Sequence, residues 1–315
     1  MTSHSISLLI AMVLSLGIFI VTLVFSFLAA RGQYPFLETT GNISDAFATQ
    51  ITPSGWTFII WTFIYIFLAL VMVYAFAGLC RRNALGLMYC YPPVLSHGFY
   101  LTWCLNFGFN IGWLFVWDRR LVSVALAFLI VVTLTNFVMI FFSCYGLHTY
   151  GAWLHKFHRV DLWLVRVLVQ NGIAMYATWT TIASLLNLAI VLNTYASLSL
   201  TSAATISLAI LVVVVLVWFV LENFFLDKHV RYILIIYPVV IWALTGSYTK
   251  NYDAESPSQT GIFAVVVLAT ACVLFATRII LVVWRHIKSP IYRQNSVELR
   301  LPVDIINSQR NILLK

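Results

Sequence analysis

Residues Ile6–Ala30 read ISLLIAMVLSLGIFIVTLVFSFLAA, about 25 residues without a charged side chain. A helix needs about 20 apolar residues to cross the ~30 Å hydrocarbon core of a bilayer. This run is long enough, and it exceeds the ~7–15-residue core of a secretory signal. No Lys or Arg precedes it. It therefore reads as a first span, although Ala29-Ala30 has the small residues of a cleavage site. Seven more runs of similar character follow: Gly55–Leu79, Pro93–Trp117, Leu121–Phe142, Leu162–Leu192, Ala204–Leu221, Val230–Tyr248 and Gly261–Trp284. The composition agrees, with 62% hydrophobic and 9% charged residues. Soluble domains carry about 25% charged residues, so lipid is the solvent these side chains suit. The expected fold is an all-α integral membrane protein, an eight-helix transmembrane bundle.

Charge placement orients it. With alternating sides, twelve Lys and Arg fall on the side of the even loops and the tail, and four on the other. The positive-inside rule then puts both termini in the cytoplasm of a multi-pass protein, in the plasma membrane or an endomembrane. The net charge of +8 follows this pattern instead of a nucleic-acid footprint, so the lipid bilayer is the expected partner and nucleic acid is not. The one N-x-S/T sequon, Asn42-Ile43-Ser44, falls in the first outer loop, where Asn42 is open to glycosylation.

No catalytic constellation is visible: no G-x-S-x-G, no H-E-x-x-H and no P-loop. The five cysteines show neither a disulfide framework nor metal-ligand spacing. All ten acids lie at or near the ends of apolar runs, which argues against a carboxylate-driven proton coupler. Arg278 is deeper and has two outlets, snorkelling or pairing with Glu222. Asp118-Arg119-Arg120 looks like the Asp-Arg-Tyr of G-protein-coupled receptors, but it falls on the outer side and no Asn-Pro-x-x-Tyr follows. The fourth loop is expected to hold His148, His155, Lys156, His158 and Arg159.

Polar residues inside spans turn inward, away from lipid. In the third run Trp103, Asn106, Asn110, Trp113 and Trp117 recur at spacings of three and four, so one helical face alternates indole and amide. That face is either an aromatic pocket with amide donors or interhelical glue, and the sequence leaves both open. The fifth run is rich in Gln170, Asn171, Thr178, Thr180, Thr181 and Ser184, which suits close helix packing.

Three segments carry a resemblance. Pro53-Ser54-Gly55-Trp56-Thr57-Phe58-Ile59-Ile60-Trp61 with Tyr65, Asn110-Ile111-Gly112-Trp113, and Met175-Tyr176-Ala177-Thr178-Trp179 through Asn187 together resemble the TspO/MBR family of tryptophan-rich sensory and translocator proteins. The resemblance covers about residues 6–193, a TspO-like five-helix module; residues 194–287 form three additional spans and 288–315 a polar basic tail. Met175 stands where the family has Pro, and no basic residue follows the fifth helix. The resemblance implies a pocket roofed by the first loop and lined by Trp56, Trp61, Tyr65, Asn110, Trp113, Tyr176, Trp179 and Asn187. It implies a porphyrin- or sterol-like ligand as partner, with no required cofactor and no metal. The expected function is a membrane sensor, receptor or carrier for a hydrophobic aromatic molecule; enzymatic activity is left open, with the sequence leaning against it. The alternative is a small-solute or ion channel in which the extra helices form or gate the path. A homo-oligomer stays open.

Overall fold

The first helix, α1 (Ile6–Arg31), stops at Gly32, whose φ of 60° lies in the left-handed region. Gly32 N–H donates to Ala29 O and Gln33 N–H to Leu28 O, the paired bonds that close a helix on a left-handed glycine. A computed structural model of the chain describes residues 5–292 and 301–313. After α1 come α2 (Thr40–Ala46), a 3-10 turn (Gly55–Ile59), α3 (Ile60–Cys80), α4 (His97–Asp118), α5 (Val122–Phe157) and α6 (Arg159–Leu164). A π-helical turn (Val165–Gln170) joins α6 to α7 (Asn171–Thr194), and α8 (Leu200–Val220) ends in a second one (Leu221–Phe225). The short α9 (Asp227–Val230), then α10 (Ile236–Asn251), α11 (Gln259–Lys288) and α12 (Pro302–Leu313) complete the described chain.

Seven helical stretches among the described residues are long and apolar enough to cross a membrane: Ile6–Arg31, Gly55–Cys80, His97–Asp118, Val122–Phe157, Arg159–Thr194, Leu200–Phe225 and Gln259–Lys288. Their outward faces are apolar, as at Val213 and Val217 on α8 and Val273 and Ile280 on α11, which is the surface lipid accepts. The chain is an integral membrane protein. α7 is the hub: it packs on α3 and α5 on one side and on α8 and α10 on the other, while α4 lies between α1 and α5.

Three boundaries differ from the sequence reading. The run Val230–Tyr248 is broken, and its helix, α10, has 16 residues. The break is held from outside the run: Asn171 Oδ1 accepts from Leu234 N–H at 2.9 Å and Ile235 N–H at 3.3 Å, and its Nδ2 donates to Tyr232 O at 2.8 Å. The same amide donates to Arg166 O at 2.8 Å, beside the π turn. Second, α5 continues past Phe142 for 36 residues in all, about 54 Å at ~1.5 Å per residue. His148, His155 and Lys156 therefore sit on a helix, and the fourth loop shrinks to His158 between α5 and α6. Third, the polar tail carries a helix of its own, because α12 begins at Pro302, a residue suited to the first helical turn, and its Ile305 packs on the main core.

Several of the acids at the ends of apolar runs are buried, Asp118, Asp161 and Glu222 among them. Glu222 and Arg278 are both fully buried, with Arg278 Nε 3.3 Å from Glu222 Oε2. Arg278 also donates to Asn223 Oδ1 at 2.8 Å and to the carbonyls of Val230 and Arg231 at 3.3 and 3.2 Å. Tyr237 donates to Glu222 Oε1 at 2.5 Å. The pairing outlet for Arg278, and not snorkelling, is the one the fold uses. A turn away, Asp227 binds Arg231 at 2.5 Å and Arg285 at 2.7 Å.

A tryptophan-lined cavity under the first loop

Of the indole-amide face of α4, Trp103 turns to α1, where its Nε1 donates to Ser15 O, while Asn110 and Trp113 turn to α7 and α3, and an aromatic ladder results. Tyr65, Trp61, Trp113 and Trp117 stack in sequence, with centroids 5.6, 6.2 and 6.0 Å apart and planes within 22–26° of parallel. Trp179 meets Trp61 edge-on at 6.5 Å, and Phe58 meets Trp179 edge-on at 6.2 Å. Such offset and T-shaped contacts are the favoured geometries for aromatic rings.

Trp61, Trp113, Trp117 and Trp179 wall a cavity of about 50 Å³, with Asn187 and Ile190 of α7 beside them. Thr40 and Ser44 of α2, together with Thr52 and Pro53, cover it. This roof is tied down at several points. Asp118 Oδ1 accepts from the backbone N–H of Leu37 and Glu38, Arg120 pairs with Glu38 at 2.6 Å, and Lys250 pairs with Asp45 at 2.6 Å. Asn251 Nδ2 donates to Thr52 O at 2.9 Å.

Three buried polar atoms at this cavity have no hydrogen-bond partner among the described residues: Trp113 Nε1, Trp179 Nε1 and Asn187 Oδ1. Two are donors and one is an acceptor. Leaving such a group unpaired in an apolar interior costs about 1–3 kcal/mol. The lining is thus aromatic, with a few polar atoms ready for a partner.

The sequence-predicted residues divide. Trp61, Trp113, Trp179 and Asn187 line the cavity. Tyr65 and Tyr176 lie one layer further in: Tyr65 OH pairs with Ser26 at 2.7 Å, and Tyr176 OH accepts from Asn110 Nδ2 at 2.7 Å. Asn106 serves the α4–α5 contact, its Nδ2 reaching Val132 O, Thr135 Oγ1 and Asn136 Oδ1 at 2.8–3.1 Å. Of the two readings left open for this face, Asn106 is glue. Trp56 is half-exposed and packs edge-on against Trp242 at 4.9 Å, outside the cavity. Asn42 is exposed on α2. Trp117 and Phe58 line the cavity too, with Leu129, Ala183 and Leu186. Trp117 was already on the indole-amide face by its spacing, whereas Phe58 shows no periodic signal.

The family described as TSPO-like protein matches residues 12–284. The chain belongs to the TSPO-like family. The match runs through α8, α10 and α11, so TSPO-like sequence extends well beyond residue 193, where the motif resemblance ended. No curated protein and no solved structure matches the chain.

Proposed function

We propose that this TSPO-like membrane protein is a sensor or carrier that binds a flat, apolar ring system, porphyrin- or sterol-like, in the tryptophan-lined cavity. The observation that carries the reading is the set of three unpartnered polar atoms in an aromatic cage. A ring system with a few heteroatoms would stack on the indoles while accepting from Trp113 and Trp179 and donating to Asn187. Drug-sized ligands occupy about 300–1,000 Å³, so the cavity must enlarge to admit one, and the first loop over it is the part that can lift.

The topology that suits this reading is an eight-span bundle whose first five spans form the TspO-like module. Asp227, just after α8, bonds to Arg285 near the end of α11, so both helices finish on one side. α11 starts on the other side, and the chain between must recross. α10 makes that return: its start is held by Asn171, and its end meets the first loop, where Ser54 N–H donates to Gly246 O at 2.9 Å. An even number of crossings keeps both termini on one side, and the Lys/Arg bias favours the cytoplasmic one, with Asn42 outside and available to a glycan.

The test is titration of detergent-purified protein with protoporphyrin IX, following tryptophan fluorescence, with wild type and Trp179→Ala side by side. Saturable quenching at micromolar ligand, weakened at least several-fold by the substitution, is expected. Non-saturable quenching, or quenching indifferent to Trp179→Ala, would overturn the assignment.

A further inference from the structure

A second cavity system lies toward the other end of α7. An apolar chamber of about 370 Å³ is walled by Ile140 of α5, Ala177 and Thr178 of α7, Trp218 of α8, and Ile233 and Ile236. Phe141 and Leu226 at its rim are exposed on the lipid-facing surface. A vestibule of about 210 Å³ adjoins it, where Arg166, Lys228, Tyr232 and Tyr292 stand among apolar residues such as Leu147 and Ile291. Cys144, His148 and His229 line both spaces, so the two lie side by side along these three residues.

The vestibule is electrostatically one-sided. Arg166 is 5% exposed, and its guanidinium carbon sits 4.2, 5.0 and 5.6 Å from the ring centroids of Tyr232, Trp163 and Tyr292. No carboxylate pairs with it, or with exposed Lys228, among the described residues. The acids on the neighbouring elements are committed elsewhere, Asp161 to Arg81, Glu222 to Arg278 and Asp227 to Arg231 and Arg285. Aromatic faces offset part of the cost of burying a cation, but a buried charge is normally matched by an anion. The guanidinium fork suits the paired oxygens of a phosphate.

We propose that this groove is a site for one membrane lipid with an anionic phosphate headgroup, its acyl chain in the chamber and its phosphate in the vestibule between Arg166 and Lys228. The chamber's opening onto the lipid face favours a lipid over a free phosphate. The absence of an acid among the described vestibule residues disfavours a headgroup that carries its own cation.

The test uses the full-length protein in mild detergent, exposed to phosphatidic acid or to phosphatidylcholine of the same chains, with bound lipid read by native mass spectrometry. Wild type should retain one phosphatidic acid several-fold more than phosphatidylcholine. Lys228→Gln, at an exposed position that does not threaten folding, should erode that preference several-fold, and Arg166→Gln further. Thr178→Phe, which fills the chamber, should lower retention of both lipids. Equal retention of the two lipids by wild type would overturn the proposal, as would an unchanged preference in Lys228→Gln together with unchanged retention in Thr178→Phe. Displacement of phosphatidic acid by equimolar inorganic phosphate would also overturn it, because the chamber would then contribute nothing.

Discussion

The carboxylate of Asp118, at the last residue of α4, accepts the backbone N–H of Leu37 at 2.8 Å. The same oxygen accepts Glu38 N–H at 3.2 Å, and the other oxygen pairs with Arg119. One buried side chain thus fixes the first loop to the end of the helix that supplies Trp113 and Trp117. Hydrogen bonds to a charged group contribute about 1.5–3 kcal/mol. Asp118→Ala should lower the thermal midpoint and speed protoporphyrin IX association in stopped-flow quenching. Arg120→Gln, which removes only the half-exposed pair with Glu38, should change stability by less than about 1 kcal/mol. Equal association rates in wild type and Asp118→Ala would mean that the loop is not what limits access.

The pair Glu222–Arg278 makes a different kind of prediction. Both charges are out of water, so removing one strands the other, at about 3–5 kcal/mol. Arg278→Met alone should sharply lower the thermal midpoint in detergent. Glu222→Gln combined with Arg278→Met should recover part of the loss, since two neutral groups carry no stranded charge. A double variant less stable than both singles would contradict this account.

Asp227 sets an acid limit. Burial opposes its ionisation, but hydrogen bonds and charge from Arg231 and Arg285 outweigh burial and hold its carboxyl below the ordinary carboxylate value of 3.8. A depressed folded value stabilises the ionised form. The contribution is therefore complete above the unfolded value, near pH 4, and is lost as pH falls below it through the folded value. Thermal scans from pH 7 down to pH 3 should show a steeper decline in wild type than in Asp227→Asn. Parallel curves would remove Asp227 from the explanation.

Gly146 allows α5 to pass against the segment before α4. A Cβ there would lie 2.2 Å from Val94 O, a backbone atom that cannot rotate away. Gly146→Ala should destabilise by about 1–3 kcal/mol, the usual range for overpacking, and reduce the folded yield in fluorescence-detected size exclusion. Gly17→Ala, on α1 with no neighbour near its Cβ, is the matched control and should be neutral or slightly stabilising.

Most of the helical layout was legible because each span must be apolar by itself, and that signal is local. What escaped reading depends on distant partners. The break before α10 is closed by Asn171, some sixty positions earlier in the chain, and no window around Val230 contains that information. The length of α5 was hidden because its last turns leave the apolar run and carry histidines and a lysine while staying helical. At the cavity, the α4 periodicity located Trp113 correctly but could not separate it from Asn106 on the same face, since an amide that binds a ligand and one that binds a helix look alike in sequence. Trp56 carried the right motif spacing, yet it precedes the regular part of α3 and turns instead to Trp242. The roof was legible only through resemblance, because its anchors at Asp118 and Lys250 lie far from the residues they hold.

The π turn at Val165–Gln170 makes α7 a threaded part whose phase is set elsewhere. An α-helix advances about 100° per residue, and a π turn works as one residue of slack in that screw. Arg166, inside the turn, faces the vestibule; beyond it, Ala177 and Thr178 face the chamber and Trp179 and Asn187 the tryptophan cavity. Deleting a single residue within the turn would take up that slack and leave the two sides nearly in phase, whereas the same deletion in the regular helix before Ala174 would swing Arg166 about 100° from the cavity-lining residues. The phase between Arg166 and the walls of both cavities is therefore recorded in the residue count along α7, with the turn as a place that can absorb one residue.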